Sequence, residues 1–251
     1  MSFKILFSNI GYARGIDGTL WQHVGRFNRH FYCPVPLQQE VLMQVKGIVK
    51  NARPDICCFV EIDQGSMHSA RFNQLTFLMD DDYRFFDIAD KYGPGNWLAK
   101  LPLHTGKSSA FMSRTELPFD KHYFSKGSKR LIHKVAIPGG VTLFFTHFSL
   151  QRKVRLHQFQ ELRKLVEQQD GPVIVLADFN IMHGFKELQP LLENSDLIVL
   201  NDEHNPTFRL HRTEKALDLC ICSKSLREKL DLKIIQQPFS DHAALLVEGN
   251  W

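Results

Sequence analysis

Two periods of apolar residues alternate along this chain, and their lengths and end residues set which element each segment forms. Short runs dominated by Val, Ile, Leu, Phe and Cys fall at residues 3–8, 55–60, 83–89, 110–113, 131–137, 141–145, 173–177, 216–222, 232–236 and 243–248. Brief apolar runs rich in β-branched residues read as strands, the most continuous of them buried on both faces. Between them Leu37, Val41, Val45 and Ile48 recur at helical spacing up to Pro54, as do Phe72, Leu75 and Leu78, and then Val154, Phe159, Leu162 and Val166. These predict helices, with a shorter one at residues 188–192. Strands and helices alternate, while Pro138-Gly139-Gly140 turns one strand back on the next, so a mixed α/β fold with some antiparallel pairing is predicted. Residues 11–36 and 90–107 show no clear period, are long for connections, and are candidate functional loops. No repeat, low-complexity tract or composition shift marks a boundary, and 1–251 reads as one domain.

Composition narrows the class. A 251-residue chain with 43% hydrophobic residues can build a proper core. No apolar run reaches the 18 or so residues of a membrane span, and the first residues lack the pattern of a secretory signal, so a soluble, cytoplasmic monomer is expected. Five cysteines, four of them inside strand-like runs at Cys57-Cys58 and Cys220-Ile221-Cys222, suit a reducing compartment and argue against a disulfide framework. A net charge of +4 permits an anionic partner without demanding one. The basic clusters Lys121 to Lys134, Arg152-Lys153-Arg155 and Arg26-Arg29-His30 read first as solvated faces.

The candidate chemistry lies where the strands stop. The run Val173-Ile174-Val175-Leu176-Ala177 ends on Asp178-Phe179-Asn180, and residues two apart on a strand point the same way. Other strands end similarly: Asn9, Glu61, His147 and Asp241-His242 stand at strand ends, with Asp218 inside the strand at 216–222. Each alone could be a turn or a satisfied core residue. Together they are harder to dismiss, because a carboxylate ending a buried strand is costly unless paired or metal-bound, and α/β proteins gather their sites at one sheet edge. An oxygen-rich donor set without a cysteine cluster suits Mg2+ or Mn2+ better than zinc, and such ions act on phosphate esters. A histidine beside an aspartate supplies a general base. Other mechanisms fit worse: there is no Gly-x-Ser-x-Gly elbow, Leu101 stands where a P-loop ending at Gly106-Lys107-Ser108 needs its first glycine, and no zinc spacing occurs.

The ordered series Ser8-Asn9-Ile10, Phe59-Val60-Glu61, the segment 106–114, Phe145-Thr146-His147, Ala177-Asp178-Phe179-Asn180, Leu217-Asp218-Leu219 and Ser240-Asp241-His242 resembles the endonuclease/exonuclease/phosphatase superfamily, the deoxyribonuclease I-like group. The resemblance covers nearly the whole chain. It implies a four-layer α/β sandwich, two packed mixed sheets flanked by helices, and a divalent-metal phosphoesterase site at one edge. By motif Glu61 is the principal Mg2+ ligand, with Asn9 and Asp241 near the metal and Mn2+ as a substitute. His242 is implied as general base or phosphate contact, oriented by Asp218; Asp178 and Asn180 position water and phosphate; His147 binds phosphate or assists the leaving group. Thr207, from a Thr-Phe step, and Ser109, in Lys107-Ser108-Ser109-Ala110, are carried as substrate-binding candidates. The implied substrate is a phosphate ester of nucleic acid, nucleotide or lipid headgroup, cleaved by attack of water. The alternative is a non-catalytic phospholigand-binding module on the same scaffold. Abasic-site endonucleases carry tyrosine where this chain has His147, and the Pro-x-Trp-x-Asp-Arg segment of inositol 5-phosphatases is absent, so neither subgroup's substrate carries over.

Overall fold

The apolar runs become strands covered on both faces, as a computed structural model describes for residues 2–102 and 104–251. Residues 1 and 103, which fall in the expected domain span and the second expected loop, lie outside the described residues. The strands begin with β1 (Ser2–Asn9), β2 (Ile56–Asp63), β3 (Phe85–Asp90), β4 (Lys107–Ser113), β5 (Phe119–Tyr123), β6 (Leu131–Ile137) and β7 (Val141–His147). They continue with β8 (Val173–Asp178), β9 (Leu197–Val199), β10 (Phe208–Leu210), β11 (Thr213–Lys215), β12 (Asp218–Ser223), β13 (Leu230–Ile235) and β14 (Ala244–Asn250). The α-helices are α1 (Leu20–Gly25), α2 (Val35–Ala52), α3 (Gln74–Leu78), α4 (Arg152–Glu167) and α5 (Gln189–Leu192). None of the described helices is long and apolar enough to cross a membrane.

Two six-stranded sheets result, in the orders β13-β14-β1-β2-β4-β3 and β5-β6-β7-β8-β12-β9, while β10 and β11 form a separate hairpin. Each large sheet is mixed, with one parallel pair, β1–β2 and β7–β8, joined across α2 and α4. Strand alternation sorts the side chains. Phe3, Ile5 and Phe7 of β1 and Cys58 of β2 face between the sheets, against Phe145, Ile174 and Leu176. The opposite residues Leu6, Cys57 and Phe59 pack on Val41, Leu42 and Val45 of α2, and Val175 and Ala177 pack with Phe159 and Leu162 of α4. Burial on both faces is why these strands read as continuous apolar runs, and why the four cysteines of β2 and β12 are buried; Cys33 is buried outside the strands, and all five are free.

The expectations hold for the long elements and miss the short ones. β5 (FDKHY) is largely exposed, β10 (FRL) and β11 (TEK) are three residues long and carry charge, and β9, though apolar (LIV), is only three residues long. Residues 11–36, expected as loop, contain α1 and a 3-10 turn at Phe27–His30. Asp218 opens its strand instead of lying inside it, because Thr207 Oγ1 accepts the amide hydrogens of Leu217 and Asp218 at 3.0 and 2.8 Å. Asp241-His242 precede β14 instead of ending a strand. Since β14 runs antiparallel to β1, its start lies at the sheet edge where β1 ends.

One polar tie crosses the core. His133 of β6 stacks on Phe145, with ring centres 4.4 Å apart, and its Nε2 meets Asp87 Oδ2 of β3 at 3.0 Å, linking the two sheets. Burial lowers its proton affinity below the ordinary imidazole value, although Asp87 pulls the other way. A folded pKa below the unfolded one means the unfolded chain takes up the proton first, so stability is lost as pH falls below about 6.5. His68 and His147 act in the same direction and His242, whose proton affinity is raised, against it, so the His133 share is read as a difference in how the thermal midpoint changes from neutral pH down to about 5.5. His133→Phe, which keeps the stack, should make that change less destabilising; equal slopes would assign the titration elsewhere.

Candidate active site

Pairing brings the strand-end residues together. In the parallel β7–β8 pair His147 stands beside Asp178, and in the antiparallel β8–β12 pair Asp218 stands opposite Asp178. Asn9, ending β1 in the other sheet, donates from Nδ2 to Asp178 Oδ2 at 3.0 Å, so one hydrogen bond bridges the two sheets at this edge. Its Oδ1 accepts from the Gly11 amide at 3.1 Å. Asp178 is the hub. Oδ1 accepts from the Asn180 amide at 3.1 Å, while Oδ2 also lies 3.0 Å from His147 Nε2 and 3.8 Å from His242 Nε2. Burial opposes its charge, but His147 and His242 outweigh burial and hold the carboxyl well below its ordinary range. Asn180 adopts a left-handed backbone (φ 53°) and donates from Nδ2 to the Phe148 carbonyl at 2.9 Å, pinning the segment after β7.

His242 is oriented from both sides. Its Nδ1 lies 2.7 Å from Asp218 Oδ2, Phe208 covers its ring at 4.8 Å, and Gln237 Nε2 donates to its carbonyl at 2.9 Å. Burial works against a protonated ring, yet Asp218 and Asp178 raise His242 to about 10. Asp178, Asp218 and His242 each offer a ligand atom within 4.8 Å of the others, a donor set able to hold a metal ion. Thr207 is buried beneath this group, its hydroxyl oxygen occupied by the two amides that set the start of β12. Ser109 is buried on β4, paired with Val60.

Glu61 reaches the edge by a departure from regular strand geometry. The ladder between β2 and β4 shifts between Val60 and Ile62, leaving Glu61 as an extra residue with φ of 52°. This bulge lets Val60 face the inter-sheet core and Ile62 the α2 side, while the intervening carboxylate turns to the open edge. A left-handed glutamate costs about 1–3 kcal/mol, a strain that such sites commonly hold. Around it stand Arg14 Nη2 at 3.5 Å, Lys129 Nζ at 3.8 Å and His147 Nδ1 at 3.9 Å. Burial opposes the Glu61 charge, but Lys129, His147 and Arg14 bring the carboxyl down to about 2. Burial, together with the neighbouring Glu61 charge, pushes Asp241 up. Asp241 and His242 line a cleft of about 510 Å3 with Asp17, Thr207 and Arg209.

Sequence reasoning missed the cations. Lys129 touches His147 Nε2 as well as Glu61, yet it lies in the basic cluster read as a solvated face. Lys91 donates from Nζ to Tyr12 Oη at 2.6 Å, and Arg14, Lys91 and Lys107 stand 5.5, 5.2 and 5.0 Å from the Tyr12 ring. Burial pulls Lys91 down to about 7. These residues come from separate loops without periodicity, so only the fold groups them. A hard cation fits beside them on donor chemistry. Glu61 and Asp241 are two carboxylates close enough for the charge of the first to raise the proton affinity of the second, and Asn9 Oδ1 adds a neutral oxygen, the ligand types that Mg2+ takes.

A two-sheet α/β sandwich with carboxylates and histidines gathered at one edge defines a class of phosphoester-hydrolase scaffold. The chain belongs to the Endonuclease/Exonuclease/phosphatase family, which it matches over residues 41–242. Among solved structures it is similar to truncated TDP2 of Caenorhabditis elegans, at 17% identity and a TM-score of 0.67, over 100% of this chain and 98% of that one. The human Nocturnin catalytic domain is similar at 16% identity and a TM-score of 0.61, over 99% and 94% of the two chains. A family protein from Bacteroides thetaiotaomicron aligns at 14% identity with a TM-score of 0.64, over 99% and 97%. At these identities the likeness concerns the fold. No curated protein matches the sequence.

Proposed function

We propose that residues 1–251 act as one divalent-metal-dependent phosphoesterase domain, hydrolysing a phosphodiester or phosphomonoester by attack of water. The observation that carries this reading is the pair of hydrogen bonds that converge on one edge: His242 to Asp218, and Asp178 to Asn9 across the two sheets. Glu61, Asp241 and Asn9 would hold Mg2+ or Mn2+, which supplies positive charge against a phosphoryl oxygen. The protein's own groups do the rest. His242 Nε2 and Asp178 Oδ2, 3.8 Å apart, border one space where both can hold a water. Asp218 fixes the His242 ring through Nδ1 and, with Asp178, keeps it charged, so Nε2 donates to a phosphoryl oxygen while Asp178 Oδ2 accepts the hydrogen of that water. Lys129 meets the phosphate or the departing oxygen with positive charge, and His147, in contact with it, stands beside the same group.

The test is a panel of soluble phosphodiesters and phosphomonoesters with Mg2+, with EDTA, and with Mg2+ restored. Turnover should vanish on chelation and return with the ion. Activity that survives EDTA, or a folded protein inert on every ester of the panel, would contradict the reading.

A further inference from the structure

The segment after the first strand carries its apolar face outward. Leu20, Val24, Phe27 and Phe31 recur at i, i+4, i+7 and i+11 along α1 and the 3-10 turn that follows, the spacing of one helical face. All four are exposed, as is the intervening Trp21 at 86%. The polar side is what holds the arm to the body. Gln22 Nε2 donates to Asp17 at 2.7 Å, Arg26 donates to the Gly15 carbonyl, and Arg29 Nη1 donates to the Arg14 carbonyl at 3.0 Å. A surface helix ordinarily buries its apolar stripe and wets its polar one, and this arm does the reverse. Contiguous exposed apolar surface marks a binding face.

Charge and position say what covers it. Residues 19–33 contain no acidic side chain. Gly18, at the base of the arm, packs against the Arg209 backbone, where an added Cβ would collide, and its carbonyl accepts the His211 amide at 2.7 Å. The β10–β11 hairpin with exposed Arg212 is thereby fixed beside the apolar stripe, while Arg209 shares its charge with Glu214 at 3.8 Å. On the inner side His23 and His30 line a small cavity with Arg14 and Asp241, so the arm stands at the rim of the candidate site. Leu20 and Val24 offer no surface on which a base stacks, which argues against a single-stranded nucleic acid. A wedge of Trp, Phe and aliphatic side chains beside basic residues fits the headgroup and upper acyl region of an anionic bilayer.

We propose that this arm seats in the interface of an anionic lipid bilayer and presents the site to lipid-borne phosphate esters. The choice of substrate rests on the phosphoesterase reading; the docking does not. The full chain is sedimented with phosphatidylcholine vesicles, with and without phosphatidylglycerol. Binding to the mixed vesicles is expected, with a blue shift of Trp21 fluorescence in a Trp97→Phe/Trp251→Phe background. Trp21→Ser/Phe27→Ser should bind at least about tenfold more weakly while hydrolysing soluble bis(p-nitrophenyl) phosphate as the unaltered protein does. The proposal is overturned if folded protein ignores both vesicle types or the double variant binds equally. It is also overturned if single-stranded DNA binding, or a concentration-dependent dimer, is what the double variant loses while vesicles are not bound. Vesicle binding without turnover of any soluble phosphoester would uphold the docking and sink the phosphoesterase reading.

Discussion

Asp178→Asn should lower phosphoester turnover by about a thousandfold or more, while the protein still folds. The substitution keeps the shape of the side chain and the strand that carries it, but removes the charge on which three partners converge. An amide oxygen can still accept from Asn9, yet it gives up the attraction that draws His147 and His242 toward Oδ2. His242 then keeps Asp218 as its single close counter-charge, and its proton affinity falls from the raised value that both carboxylates sustain. The measurement is kcat with saturating Mg2+, alongside a titration of the His242 ring by NMR. A variant that retains a tenth or more of the activity would exclude Asp178 from the reaction. His242→Ala should be similarly severe, and the double variant little worse than either single one, because residues that act as a unit lose their effect together.

Glu61→Gln has a comparable effect on turnover, on the order of a thousandfold, and it should also abolish the response to metal. A ligand that binds only the folded state stabilises it by about 2.7 kcal/mol at a hundred times its dissociation constant. Unaltered protein should therefore melt higher in Mg2+ than in EDTA, and Glu61→Gln should melt at one temperature in both. The variant also leaves Arg14 and Lys129 without the carboxylate that neutralises them, so it should be less stable than the unaltered protein in EDTA. Glu61→Gly separates strain from chemistry. Glycine adopts φ of 52° without penalty, so it should melt above Glu61→Ala while remaining as inactive. A Mg2+ shift that survives in Glu61→Gln would move the ion to another donor set, for which Asp178, Asp218 and His242 are the alternative.

The layered sandwich was legible because strands buried on both faces leave continuous apolar runs, and helices on the outside leave one apolar stripe. β8 and α4 are examples: Val173 to Ala177 is apolar throughout, while α4 alternates buried Phe159 and Leu162 with charge. β5 and the β10–β11 hairpin left no such trace, since edge strands and small hairpins have little apolar surface to bury, and β9 was too short to stand out. The site residues stood out in sequence by type and by position at strand ends, but their division of labour did not. Thr207, carried as a substrate contact, spends its hydroxyl oxygen on the backbone of β12, a hydrogen bond that no spacing announces.

The sequence by itself determined the strands, the principal helices and the polar residues that end the strands, because burial and periodicity are properties of short segments. Residues 11–36 showed no clear period, and the outward direction of the arm's apolar residues came only with the fold. Only the tertiary structure decided that Asn9 of one sheet reaches Asp178 of the other, that a bulge turns Glu61 to the shared edge, and that Arg14, Lys91 and Lys129 surround it. These depend on which strands pair and in what register, and pairing is set by packing between segments far apart in the chain.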